Sequence, residues 1–137
     1  MLSSNKGFTL IELLIVMAIL GMLAALVGPS LFNKVGEGRI NAAATQMSSM
    51  EVALDAYRLD MFKYPSSLEA LVKNSSSNSK WQGPYMKKGI PKDPWGNEYQ
   101  YKKPGREGRD YDLYSFGADG RDGGEKEDAD VLNWKTD

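Results

Sequence analysis

Hydrophobic and polar positions divide this chain into two unlike parts. From Phe8 to Phe32 the sequence reads FTLIELLIVMAILGMLAALVGPSLF, apolar at almost every position, with one carboxylate, Glu12, and one proline, Pro29. Its 25 positions make roughly 37 Å of helix at about 1.5 Å per residue. That length crosses a bilayer core of about 30 Å. Gly28-Pro29 is expected to bend or loosen the helix, because proline lacks the N–H and clashes with the preceding turn.

Beyond Phe32 the pattern changes to a spaced stripe. Asn33 to Arg39, with Gly36 and Gly38, reads as a weak junction that is still able to be helical. From Ile40 to about Asp60, Ile40, Ala43, Met47, Met50, Leu54, Tyr57 and Met61 recur by threes and fours. This predicts one apolar helix face continuing the first helix as a single spine. Asn41, Thr45, Ser48, Ser49, Glu51, Asp55 and Arg58 occupy the opposite face. A methionine stripe at this spacing reads as core before it reads as a partner groove.

Tyr64-Pro65 ends the helix, since the residue before proline avoids the α region. Ser66 to Val72 predicts a short helix capped by Ser66 or Ser67. Asn74 to Ser79 is a polar loop, and Trp81 to Ile90 is irregular. Asn74-Ser75-Ser76 matches a glycan acceptor, a pattern that also occurs by chance. Pro91 to Gly96 is a turn with Pro94 at its first central position and Trp95 as a core anchor. Alternating residues predict strands at Glu98–Tyr101 and Tyr111–Phe116, joined through Pro104 to Gly108, with a short edge strand at Val131–Trp134. The expected class is α+β: a long N-terminal helix, part transmembrane and part amphipathic, packed on a small antiparallel sheet that carries aromatic side chains.

Glu12 is the charge that needs explaining. A carboxylate in hydrocarbon usually has a partner or a function, and no Lys, Arg or His lies within the apolar run. A signal peptide would place small residues after the run, whereas here Lys6 and Gly7 precede it. Cleavage between Gly7 and Phe8 would create an α-amine on Phe8. A second copy, shifted along the axis, could set that amine beside Glu12.

Composition narrows the chemistry. The chain has 137 residues, formal net charge −1, no cysteine and no histidine. Disulfides, thiol nucleophiles, Ser-His-Asp triads and Cys- or His-ligated metals are therefore excluded. Nothing suggests a basic nucleic-acid surface. Lys6 on one side of the apolar run and Lys34 and Arg39 on the other leave orientation unreadable from charge.

One cluster remains. Asp119, Asp122, Glu125, Glu127, Asp128 and Asp130 fall within 12 positions interleaved with Gly120, Gly123 and Gly124. Such a segment is either a solvated acidic loop or a site for a hard cation, which takes about six to eight oxygens. Its spacing is not that of an EF-hand.

Gly7-Phe8-Thr9-Leu10-Ile11-Glu12, with the apolar run and Pro29, resembles the processing signal of type IV pilins and type II secretion pseudopilins. Asp93-Pro94-Trp95-Gly96, Ser115-Phe116-Gly117-Ala118-Asp119-Gly120 and Asp130-Val131-Leu132-Asn133-Trp134 resemble the C-terminal landmarks of the major pseudopilins of type II secretion. Leu132 stands where that family usually has glycine. The resemblance implies a leader at 1–7, an assembly helix at 8–32 and a periplasmic domain at 33–137. It implies cleavage after Gly7 by a prepilin peptidase, N-methylation of Phe8, and a role for Glu12 in assembly. It also implies a structural Ca²⁺ in the C-terminal loop, held by Asp119, Asp128 and Asp130 and by the carbonyls of Phe116 and Arg121.

The function so implied is that of a structural subunit, a homo-oligomer stacked into a helical pseudopilus that helps move folded proteins across the outer membrane. The implied partners are an inner-membrane platform, a secretion ATPase, minor pseudopilins, an outer-membrane secretin and, before assembly, membrane lipid. The alternative is a type IV pilus subunit for adhesion, motility or DNA uptake. An enzyme using Glu51, Asp55 or the acidic loop is a weaker reading, since no carboxylate pair stands out. Electron transfer along the aromatics is weaker still, and there is no Walker A pattern.

Overall fold

The computed structural model describes residues 3–135. Its main helix, α1, runs unbroken from Leu10 to Met61 through Pro29. Three strands follow: β1 (Gln100–Lys102), β2 (Asp112–Ser115) and β3 (Val131–Leu132). The chain divides into two compact units, Met1–Val35 and Gly36–Asp137.

In the first unit α1 is long and apolar enough to cross a membrane. Its large side chains, from Leu10 to Val35, are exposed. Thr9 and Glu12 close its start reciprocally: the Thr9 amide donates to Glu12 Oε2 and the Glu12 amide to Thr9 Oγ1, each at 3.2 Å. This is a capping box, which satisfies two otherwise free amides of the first turn.

In the second unit the helical stripe is the core. Ala43, Met47, Met50, Ala53, Leu54, Tyr57 and Met61 are buried, while Ile40, expected on the same stripe, is only half-buried. Leu68, Leu71, Tyr99 and Leu113 join Met47, Met50 and Leu54 in one cluster. The expected short helix is a single 3₁₀ turn, Leu68–Leu71, and no side chain caps it.

The strands are shorter than their alternation suggested. β1 begins at Gln100 because Asn97 belongs to the preceding turn, its carbonyl accepting from Asp93 at 2.8 Å. β1 and β2 pair antiparallel with Tyr101 opposite Leu113; β2 and β3 pair antiparallel with Tyr114 opposite Leu132. β2 is central and buried at all four residues, not alternately. Its polar members are tolerated inside because each has partners. Buried aromatic area comes from Tyr57, Tyr99 and Tyr114, while the three tryptophans are only half-buried. Burial pushes the Tyr99 and Tyr101 hydroxyls up in pKa. They remain donors, Tyr99 to Gln46 and the Ala43 carbonyl, and Tyr101 to the Pro65 carbonyl.

Candidate functional site

Two regions carry candidate chemistry: the start of α1 and the acidic loop from Gly117 to Asp130. At the first, Glu12 has a local role that the sequence reading missed, although Thr9-x-x-Glu12 was its legible signal. Among the described residues its carboxylate accepts from the Thr9 amide. Capping does not supply the counter-charge that a carboxylate in hydrocarbon calls for.

The acidic loop is built on a turn. Asp93, 4% exposed, accepts at Oδ1 from the amides of Trp95 and Asn97 at 3.1 and 2.8 Å. The Gly96 amide closes the β-turn onto the Asp93 carbonyl at 2.9 Å, leaving Pro94 and Trp95 central, as the sequence suggested. Asp93 Oδ2 accepts from Ser115 Oγ at 2.6 Å, and Ser115 Oγ accepts from the Gly117 amide at 3.1 Å. Asn97 Nδ2 donates to the Gly117 carbonyl at 3.1 Å. The DPWGN turn thus fixes the end of β2, where the loop departs. Asp and Asn bonding to amides two to four residues on is a recurring turn device.

The loop then folds back on itself. The Ala118 amide donates to the Glu127 carbonyl at 2.8 Å. Gly117, at φ +72°, has no room for a side chain: a Cβ would lie 2.6 Å from the Glu127 carbonyl oxygen. Glu127 turns toward α1, where Oε1 accepts from Arg39 at 3.3 Å and from Trp95 Nε1 at 3.4 Å.

Within the loop, Asp130 Oδ2 accepts from the Gly123 amide at 3.2 Å. Its other oxygen, Oδ1, is buried without a hydrogen-bond partner among the described residues. Burial pushes the Asp130 carboxyl up in pKa, and the neighbouring carboxylates Asp122 and Asp119 push it the same way. An orphaned carboxylate oxygen facing like charge has the donor chemistry of a hard-cation site. Among the described residues no three carboxylates converge as a ready-made ligand cluster. Asp122 and Asp119 are the neighbouring carboxylates that act on Asp130 most strongly.

Glu51 and Asp55, weighed as catalytic carboxylates, have structural partners. Glu51 Oε1 accepts from Asn133 Nδ2 at 2.6 Å, and Asp55 Oδ1 from the Tyr64 hydroxyl at 2.8 Å.

The family model described as "Type II secretion system (T2SS), protein G" matches residues 30–134, and the "Prokaryotic N-terminal methylation motif" matches residues 2–28. The chain is 47% identical over 137 residues to a type II secretion system core protein G of Pseudomonas aeruginosa, covering 95% of each. It is 44% identical over 136 residues to the protein of the same name in Vibrio cholerae, covering 95% of this chain and 92% of that one. Its structure resembles the crystal structure of the major pseudopilin from the type 2 secretion system of enterohaemorrhagic Escherichia coli. There the TM-score is 0.63 and the identity 32%, over 77% of this chain and 95% of that one.

Proposed function

The chain belongs to the type II secretion system protein G family, and on that premise we propose how it works as a pseudopilus subunit. It is a structural subunit of the secretion pseudopilus rather than of a type IV pilus, and its family is not an enzyme family. Prepilin peptidase cuts after Gly7, and the freed amine of Phe8 is methylated. In the filament that amine neutralises Glu12 of a copy displaced along the axis.

One observation carries this reading. Glu12 is the single ionisable side chain in the apolar Phe8–Phe32 stretch, which is long enough to cross a membrane and whose large side chains are exposed. A lone acid in hydrocarbon costs about 2.5–3.5 kcal/mol on insertion scales. Pairing with a neighbour's amine offsets that cost only upon assembly, so charge sets the axial stagger. The interface is head-to-tail and does not close, which makes a filament.

Subunits wait in the inner membrane, held by lipid, with the globular domain in the periplasm. An assembly platform and a cytoplasmic ATPase add them at the base, since this chain has no nucleotide loop of its own. The growing filament, with minor pseudopilins, pushes folded cargo toward an outer-membrane secretin. Nucleic acid has no part in this.

The acidic loop would hold a structural Ca²⁺ through the Asp119 and Asp130 carboxylates and the carbonyls of Phe116 and Arg121. The third carboxylate would be Asp122, whose charge already acts on Asp130, or Asp128. The ion would cancel the repulsion among these acids and satisfy Asp130 Oδ1. Mass spectrometry of the N-terminus from native membranes tests the processing. A methylated Phe8 start is expected, and an intact Met1 in assembled material would overturn the reading.

A further inference from the structure

The Met61 end of α1 borders a pocket whose charge is all of one sign. The pocket, about 280 Å³ in volume, takes Lys63, Lys73 and Lys103 into its lining, and no carboxylate lines it. Among the described residues none of the three lysines makes an ion pair. Lys103 Nζ donates to the Tyr64 carbonyl at 2.6 Å, which holds its charge at the wall without cancelling it. The Ser67 hydroxyl, in the same lining, makes no capping bond to the 3₁₀ turn that follows it. A hollow lined by one sign of charge concentrates the opposite sign.

The chain carries that opposite sign at the other end of its globular unit. From Asp119 to Asp130 six carboxylates stand against Arg121 and Lys126, so the loop stays negative even with Arg39 and a Ca²⁺ counted against it. Glu127 is turned to Arg39, and the aspartates belong to the cation site proposed above. Glu125 has neither duty: it is exposed and, among the described residues, forms no ion pair. The loop meets α1 at Gly36 and Arg39, whereas Tyr57 and Met61 are the α1 residues that line the pocket. Arg39 to Met61 is roughly 33 Å of helix. One copy therefore does not bring Glu125 to its own lysines, but a copy displaced along the axis by that length does.

We propose that Glu125 of one copy sits in the Lys63–Lys73–Lys103 pocket of another copy displaced along the pseudopilus axis. The proposal rests on the filament reading above and names a contact within it. Loop and pocket are different surfaces, so each copy gives its acid to one neighbour and takes an acid from another, and the contact propagates instead of closing. Charge complementarity of this kind fixes register between copies.

A carbodiimide tests the contact in the unmodified protein, because it joins a carboxylate to a lysine amine, with loss of water, only where the two touch. Full-length chain is assembled, filaments are verified by electron microscopy, and the treated filaments are digested and read by mass spectrometry. A peptide linking Glu125 to Lys63, Lys73 or Lys103 is expected, and the distance within one copy makes that link an intermolecular one. Verified filaments that cross-link elsewhere but never between Glu125 and these lysines would overturn the contact and leave the filament reading intact. Absence of filaments from the unmodified chain would overturn both.

A charge swap gives a second measurement. Glu125→Lys and Lys73→Glu are each expected to lower filament yield about tenfold, since like charges then face each other, and the two together are expected to recover most of it. Both side chains are exposed, so the melting temperature of the subunit should stay where it is. A purely structural role would move that temperature and would not be rescued by the swap. Unchanged yield from the single variants, or no recovery in the double variant, would overturn the proposal.

Discussion

The side chain of Glu127 lies across Gly36: a Cβ at that glycine would stand 2.7 Å from Glu127 Cγ and 2.8 Å from Cδ. Glycine inside a helix costs about 1 kcal/mol relative to alanine, and here the space it leaves is occupied. The same carboxylate reaches Arg39 and Trp95, so one side chain docks the acidic loop on α1.

The Gly36 and Glu127 positions are therefore expected to be coupled. Gly36→Ala alone should destabilise the subunit, because Glu127 must move and loses Arg39 and Trp95. In a Glu127→Ala background the same change should stabilise it by up to about 1 kcal/mol. Urea unfolding of the double-mutant cycle in detergent measures the coupling, expected at about 1–2 kcal/mol. Simple additivity would show that the close approach carries no energy.

Asp112 gives a pH dependence with a definite sign. Its side chain is fully buried, and Arg109 Nε and Arg106 Nε lie 2.7 and 3.0 Å from its oxygens. Burial pushes its carboxyl up, but the Arg109 side chain and then the Arg106 amide and guanidinium outweigh that and hold it below the usual range. A carboxyl lowered in the folded state stabilises above its unfolded value, about pH 3.9, and that stabilisation is lost as pH falls through the folded value. Subunit stability should thus fall below about pH 4, and fall less steeply in Asp112→Asn. At neutral pH, Asp112→Ala should cost about 2–3 kcal/mol, since the arginines it leaves retain some access to water. Parallel slopes in acid titrations of the two proteins would refute the assignment.

Calcium is expected to raise the melting temperature of the globular unit and a chelator to lower it. An ion at one hundred times its dissociation constant contributes about 2.7 kcal/mol, or about 10 °C or more for a domain of this size. Asp130→Asn should abolish the shift. Glu127→Gln, whose side chain is turned to α1, should keep it. A folded wild-type protein whose melting curve ignores calcium has no such site.

Glu12 has two roles that two substitutions separate. Glu12→Ala removes both the charge and half of the capping box; Glu12→Gln removes the charge alone, because glutamine also serves at that position. If charge pairing drives assembly, both variants should fail to form filaments while their globular domains melt normally. Wild-type filament yield from Glu12→Gln would rule out the pairing.

The helical core was legible because a stripe at helical spacing needs no distant partner to be read. Ala43, Met47, Met50, Leu54, Tyr57 and Met61 are all buried as their spacing required. Local turn chemistry was legible at Pro94 for the same reason. What escaped were pairs distant in sequence. Asp93 binds Ser115, Glu127 covers Gly36, and Asn133 reaches Glu51; each looks like an ordinary polar residue until the partner is placed. β2 was misread as alternating because burial of Asp112 depends on two arginines outside the strand. Thr9 and Glu12 were a local signal, hidden behind the more conspicuous question of charge.

Side chains of α1 are buried only from Gly36 onward. Deuterium entering the amides of this one helix should therefore meet two regimes. Around Ala43 to Met61, opening a turn means disrupting the core, so exchange there follows the stability of the globular unit. Between Leu10 and Val35 no core backs the helix's own hydrogen bonds, so exchange there depends on whatever surrounds the rod. Passage from lipid into a polymer should then rewrite the exchange of the first stretch and leave the second nearly untouched.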